Sequence, residues 1–236
     1  MLLFANCNKD CVKSAGKMAT KEFAGLSFKK ILVNKGIGLV ITQGSDYKVE
    51  VSSGENLIGD IEVKVIDGML VLEDHTTCNW IRDYGQTVVY VTAPDLTDIF
   101  CKTEQNITSN GILAFPFLHL VSMDSNDGFA GAGTGDYSLQ VNNQSLLIEN
   151  NNVSRYYISG NTNQLSVNFY EAGGVFRGEN LTANDVRIFH RGSNDIYVWP
   201  VNSISGDIYN IGNVISMAHP PLVQVTEHYR GRLIFN

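Results

Sequence analysis

Apolar and polar residues alternate along most of the chain with the two-residue period of a β-strand, and capped runs at helical spacing are nearly absent. Tyr47, Val49 and Val51 alternate with Lys48, Glu50 and Ser52, and Ile61, Val63 and Val65 alternate with Glu62 and Lys64. Asp67-Gly68 then separates that run from Met69-Leu70-Val71-Leu72. Asp-Gly between two β-rich runs predicts a hairpin, because both central residues of a type I′ turn need positive φ. Ile31–Val33, Gly38–Thr42 and Val88–Val91 are further strands, and residues 23–95 read as an antiparallel β region.

Beyond Leu96 the apolar centres Ile148, Ile158, Val167, Phe176, Ile188, Val198 and Ile208 recur at a nearly even spacing. Polar turns separate them, among them Asn150–Asn152, Gly160–Asn163, Gly178–Asn180, Arg191–Asn194 and Asn202-Ser203. A sandwich would show such spacing, and so would a solenoid with two strands per coil. The turns are rich in Asn and Gly, and no Asn-Gly or Asp-Gly pair joins these segments as hairpins, which favours the solenoid. The expected fold is therefore all-β, an antiparallel region at 23–95 running into a parallel β-helix at 96–236. The lysines mark the same division: all ten lie at or before Lys102, and every later Lys/Arg position is Arg.

Composition narrows the function classes. The chain has 236 residues, 44% hydrophobic and 17% charged, which excludes long disorder. A net charge of −7 and the lack of a basic patch argue against a nucleic-acid partner. No apolar run approaches the roughly 20 residues that span a bilayer as a helix. Leu2-Leu3-Phe4-Ala5-Asn6-Cys7 reads as the end of a truncated signal peptide with a loose lipobox, so Cys7 is the candidate lipid anchor and residues 1–22 a tether. Membrane contact is expected only through that anchor. Cys11, Cys78 and Cys101 then allow one disulfide, with Cys78–Cys101 and Cys11–Cys78 both open.

Catalytic and metal motifs are missing. Asp124–Gly128 lacks the spacing and closing Glu of a calcium loop, and Gly131–Gly135 is not followed by the Lys-Ser or Lys-Thr of a phosphate loop. The five histidines show no paired ligand spacing, and His119 lies within an apolar strand. Asp195 and Asp207, each followed by Ile-Tyr, would stack as paired carboxylates if the repeat were regular. No cofactor and no metal site is expected. The candidate binding face is aromatic: Tyr197, Trp199 and Tyr209 sit on successive β segments, where a row of outward rings would take sugar or peptide by apolar stacking.

Several blocks in order, Phe28–Ile31, Gln43-Gly44, Gly54–Ile58, Asp67–Leu70 and Val88–Leu96, together with Gly206–Asn213, resemble the auto-transporter adhesin, head GIN domain family, common in Bacteroidetes. Val214 stands where that family usually has Pro. The resemblance covers residues 26–236. It implies a right-handed parallel β-helix of pectin-lyase-like shape, an exported cell-envelope location, periplasmic or anchored at the outer membrane of a Gram-negative bacterium, and no established chemistry. The expected function is a non-enzymatic, adhesin-like binding or scaffold module whose partner is a carbohydrate or a cell-surface protein. The alternatives are a carbohydrate-active β-helix lyase or hydrolase, and an envelope-signalling accessory.

Overall fold

The computed structural model describes residues 14–76, 87–124, 128–171 and 173–236. Cys7, Cys11, Cys78 and the centre of the 124–128 loop lie outside them. Strand is the main structure of the described residues and no α-helix occurs among them, so the all-β expectation holds.

Local chemistry forms the early strands as expected. β1 (Met18–Phe23), β2 (Lys30–Val33), β3 (Ile37–Gln43) and β4 (Lys48–Gly54) precede the hairpin of β5 (Ile61–Ile66) and β6 (Met69–Asp74). Asp67 at φ 48° and Gly68 at φ 74° make its turn, and Ile66 faces Met69 in antiparallel register. β7 (Thr87–Ala93), β8 (Asp98–Cys101), β9 (Ile107–Leu113) and β10 (Phe117–Ser122) follow.

The pairing of these strands differs from the expectation. β2 lies parallel to β6 and β8, and β3 parallel to β7 and β9. Among the described residues, only β1–β4, β4–β7 and β5–β6 are antiparallel. Period-two alternation sets which side chains face the core but is silent on the direction of the partner strand, which is why the antiparallel reading of 23–95 fails.

Four long strands come next, β11 (Tyr137–Asn150), β12 (Arg155–Phe169), β13 (Val175–His190) and β14 (Ile196–Ile208), then β15 (Val214–Ser216), β16 (Leu222–Glu227) and β17 (Leu233–Phe235). Each long strand joins two of the short apolar segments. Gly160–Asn163, Gly178–Asn180 and Asn202-Ser203 are bends within strands, and pairing of β11 with β12 runs through the bend from Tyr137↔Tyr156 to Asn150↔Phe169. The expected antiparallel region leading to a right-handed parallel β-helix is thereby corrected: all seventeen strands belong to one sheet of mixed pairing, curled into a nearly closed barrel.

One apolar cluster from Phe28 to Val214 fills the interior. Tyr137, Tyr156, Phe176, Ile196 and Val214 form one fully buried inward column, and the Tyr137 and Tyr156 rings stack 4.8 Å apart at 9°. The Tyr137 hydroxyl donates to the Val121 carbonyl at 3.1 Å, so its polar end is not left bare in the core. No helix among the described residues is long and apolar enough to cross a membrane.

Candidate functional site

Because the long strands are parallel and in register, matching positions on successive strands stack in columns on the outer face. One such column reads Ser138, Tyr157, Arg177, Tyr197. The ladder beside it is irregular on both flanks, at β9 and at β13. Between Ser138 and Gln140 of β11, strand β9 carries extra residues, Ser109 to Gly111, where β11 has only Leu139. Between Arg177 and Thr182 of β13, four residues from Gly178 to Leu181 face the single Val198 of β14, and on the other side Gly178 and Glu179 face the single Ile158 of β12. Extra residues bulge out of a sheet and bend it. Two bulged strands with the regular β11 and β12 between them leave a trough of about 360 Å³. Ser138, Gln140, Tyr157 and Ser159 line its floor, Ser109 and Gly111 one wall, Arg177, Glu179 and Asn180 the other.

Arg177 is the best-tied group there. Its guanidinium carbon lies 4.1 Å from the Tyr197 ring centroid, and its Nε and Nη2 donate to Oε1 of Glu179 at 3.0 and 2.8 Å. The Glu179 contact pushes the guanidinium pKa upward, so the cation is permanent. The other Glu179 oxygen, Oε2, is buried and accepts no hydrogen bond among the described residues. Tyr157 stands 44% exposed at the trough.

The three aromatics singled out from sequence fall in two places. Tyr197 and Trp199 face outward on β14, two residues apart, with Trp199 beside Thr182 just past the bulge. Tyr209 belongs to another stripe. Its ring stacks on His228 at 4.2 Å and 5° and meets Phe189 at 5.2 Å, and Phe189 meets Tyr170 at 5.6 Å. Tyr209 thus has neighbours on both sides, which leaves less of its face for a ligand.

That stripe continues as a polar ladder. The Tyr170 hydroxyl donates to Glu149 at 2.6 Å, Glu149 bonds His119 Nε2 at 2.9 Å, His119 Nδ1 bonds Asp98 at 3.1 Å, and Lys30 lies 3.6 Å from Asp98. Burial pushes the His119 imidazole down, but its bonds to Asp98 and Glu149 outweigh this and raise its pKa to about 9. His119 is therefore a charged link on the outer face, not a core residue. Burial and the Glu149 bond raise the Tyr170 phenol to about 12.

Other candidates resolve into local structure. Asp195 accepts from the Asn213 backbone and side chain, while Asp207 meets His228, so the two acids serve separate partners. Glu62, Glu73 and His75 bring ligand atoms within 4.8 Å of one another, but Lys64 already meets Glu73 at 2.7 Å and Glu62 at 3.3 Å. Cys101 is a free, buried thiol that burial pushes up to about 11. Sequence reading missed Tyr157, Arg177 and Glu179. The signal that finds them is the in-register offset that carries Ser138 to Tyr157, Arg177 and Tyr197, aligning one outward position per strand.

Comparison with known proteins bears on the family. A structure from Bacteroides fragilis described as a putative adhesin is 20% identical, with a TM-score of 0.81 over 93% of this chain and 97% of that one. A putative adhesin from Parabacteroides distasonis is 14% identical, with a TM-score of 0.65 over 94% and 98% of the two chains. A putative lipid binding protein from the same organism is 14% identical, with a TM-score of 0.60 over 93% and 97%. No curated protein matches the chain. The family model described as putative auto-transporter adhesin, head GIN domain matches residues 27–220, and the chain belongs to that family.

Proposed function

We propose that this protein is a non-enzymatic, adhesin-like binding module of the cell envelope, and that it takes its ligand on the outer face at Tyr157, Arg177, Tyr197 and Trp199. The observation that carries the reading is the trough itself: a recess formed by two strand bulges, with an exposed tyrosine and an arginine fixed on a second ring. Bulges that re-aim side chains concentrate at functional places in sheets. Rings and arginine are the side chains that anchor recognition.

The enzyme alternative has less support. Hydrolysis of a glycosidic bond ordinarily needs two carboxyl groups about 5–10 Å apart. Glu179 is the one acid among the residues lining the trough, and Arg177 holds it. One solved relative is described as lipid binding. This trough is lined mainly by Ser, Gln, Asn, Tyr and a charged pair, a poor host for acyl chains.

Export and lipid attachment at Cys7 belong to the same proposal, on the strength of the family and the Leu-Phe-Ala-Asn-Cys stretch. Metabolic labelling of the full-length protein with a palmitate analogue, against Cys7→Ala, tests the anchor. The binding role is tested by probing arrays of glycans and of surface and matrix proteins with the purified protein. Saturable binding that Tyr157→Ala and Tyr197→Ala both weaken is expected. Binding unaffected by either change would place the ligand elsewhere and contradict the reading.

A further inference from the structure

The chemistry lining the trough identifies a ligand class, an inference that rests on the binding reading above: we infer that the site takes a neutral, polyhydroxylated chain, an extended oligosaccharide lying across β11 and β12 between the two bulges.

Charge is the first argument. Arg177 and Glu179 are the charged groups lining the trough, and they neutralise one another at 2.8 Å. An acidic ligand would compete with Glu179 for the guanidinium and meet a protein of net charge −7. A cationic ligand would compete with Arg177. A neutral ligand disturbs neither partner.

Hydrogen-bonding geometry is the second. Besides the Tyr157 phenol, the other uncharged polar side chains lining it are three serine hydroxyls, Ser109, Ser138 and Ser159, and two amides, Gln140 and Asn180. Amides, carboxylates and guanidinium groups are planar and two-pronged, and so match adjacent hydroxyls on a sugar ring, each of which both donates and accepts. Glu179 Oε2 lacks a donor among the described residues and is closed to solvent. An ionised acceptor left short costs free energy. A small turn of the side chain toward the trough would let a ligand hydroxyl fill that place while Oε1 keeps Arg177.

Shape is the third. From β9 to β13 the trough crosses three strand spacings, roughly 14 Å. That suits several rings of a chain, with Tyr157 offering an apolar surface for the C–H face of one of them. A peptide is less well served. Extended peptides gain much of their affinity by adding to an open sheet edge. Here β11 and β12 are paired on both sides, with β9 and β13 as the outer partners, so no edge is on offer.

Calorimetric titration of the purified full chain tests this with four probes: hexasaccharides of β-1,4-linked glucose and of β-1,4-linked N-acetylglucosamine, a hexagalacturonide, and a pool of random decapeptides. Saturable binding of a neutral hexasaccharide is expected, weakened about tenfold by Tyr157→Ala and several-fold by Glu179→Gln, and unchanged in Tyr209→Ala. Unchanged melting temperatures for Tyr157→Ala and Glu179→Gln would confirm that the loss is local. Preference for the galacturonide would overturn neutrality as the selection rule. Binding of peptides alone, still lost in Tyr157→Ala, would overturn the saccharide and leave the binding module standing. No binding of any probe, and none on the arrays, would overturn both.

Discussion

The imidazole of His119 on β10 meets the carboxylate of Glu149 on β11 at 2.9 Å, two positions along from its direct register partner Leu147. Asp98 holds the other ring nitrogen at 3.1 Å, so the ring is clamped between two anions with its side chain 16% exposed.

This clamp makes stability fall at alkaline pH. The folded pKa is about 9 against an ordinary 6.5, so the contribution is complete below pH 6.5 and disappears as pH rises through 9. Solvent screening at this partly open position trims the implied loss to on the order of 2 kcal/mol between pH 6 and pH 10. Urea denaturation of the wild type and His119→Gln should show that loss only in the wild type. Parallel pH profiles for the two proteins would show that the clamp adds nothing.

His190 carries the opposite sign. It is fully buried; its Nε2 donates to the Asn194 carbonyl at 3.0 Å, and its Nδ1 has no partner among the described residues. Burial lowers its pKa below 6.5, so it contributes fully above that pH and the contribution is lost as pH falls through the folded value. Nitrogen-detected NMR should find His190 titrating below an ordinary imidazole, with the proton of its neutral form on Nε2, while His119 titrates near pH 9. A His190 that takes up its proton at or above the pH of an ordinary imidazole would contradict the burial argument.

Two glycines of the long strands, Gly160 on β12 and Gly206 on β14, admit no side chain. Gly160 at φ +109° and Gly206 at φ +123° lie against the carbonyls of Val141 and Ile188, where an added Cβ would come within 2.0 and 1.9 Å of oxygen. Gly160→Ala and Gly206→Ala should each cost roughly 2–4 kcal/mol, through the clash and the positive φ together. Gly59→Ala is the control, with ordinary φ and open space around it. Thermal melts that rank the three alike would count against the close approach of neighbouring strands at Gly160 and Gly206.

Lys102 is 4% exposed, and its ammonium donates to the carbonyls of Met123, Asp124 and Gly131 at 2.7, 2.8 and 3.2 Å. It ties Met123, Asp124 and Gly131 to the body of the sheet. Lys102→Met keeps the bulk and removes the donors, leaving carbonyls short, and should cost roughly 2–4 kcal/mol in urea denaturation. A loss no larger than that of an ordinary surface substitution, about 0.5 kcal/mol, would mean that water replaces the ammonium freely.

Much of the fold was legible where the chemistry is local. Asp67-Gly68 turns as its composition requires, and the apolar centres of 146–208 all face the core. Strand direction was not legible, since Ile31 and Leu39 alternate identically whether the partner runs parallel or antiparallel, and both turn out parallel. Bends were mistaken for breaks because Gly160 and Asn161 read as a turn, whereas the β12 ladder continues through them. The site was half visible. Tyr197 and Trp199 stood out as rings, but Arg177 and Glu179 gained meaning only once register placed them beside Tyr197. Tyr209 looked equivalent in sequence and differs because Phe189 and His228 flank it.

Hydrogen–deuterium exchange of the protein, with and without the best binder from the arrays, is the most direct test of where the ligand sits. The trough predicts new protection centred on peptides covering 109–111, 138–140, 157–159 and 177–180 and extending to Tyr197 and Trp199 beside them. Protection centred on Tyr170, Phe189, Tyr209 and His228, with those four segments unchanged, would contradict it.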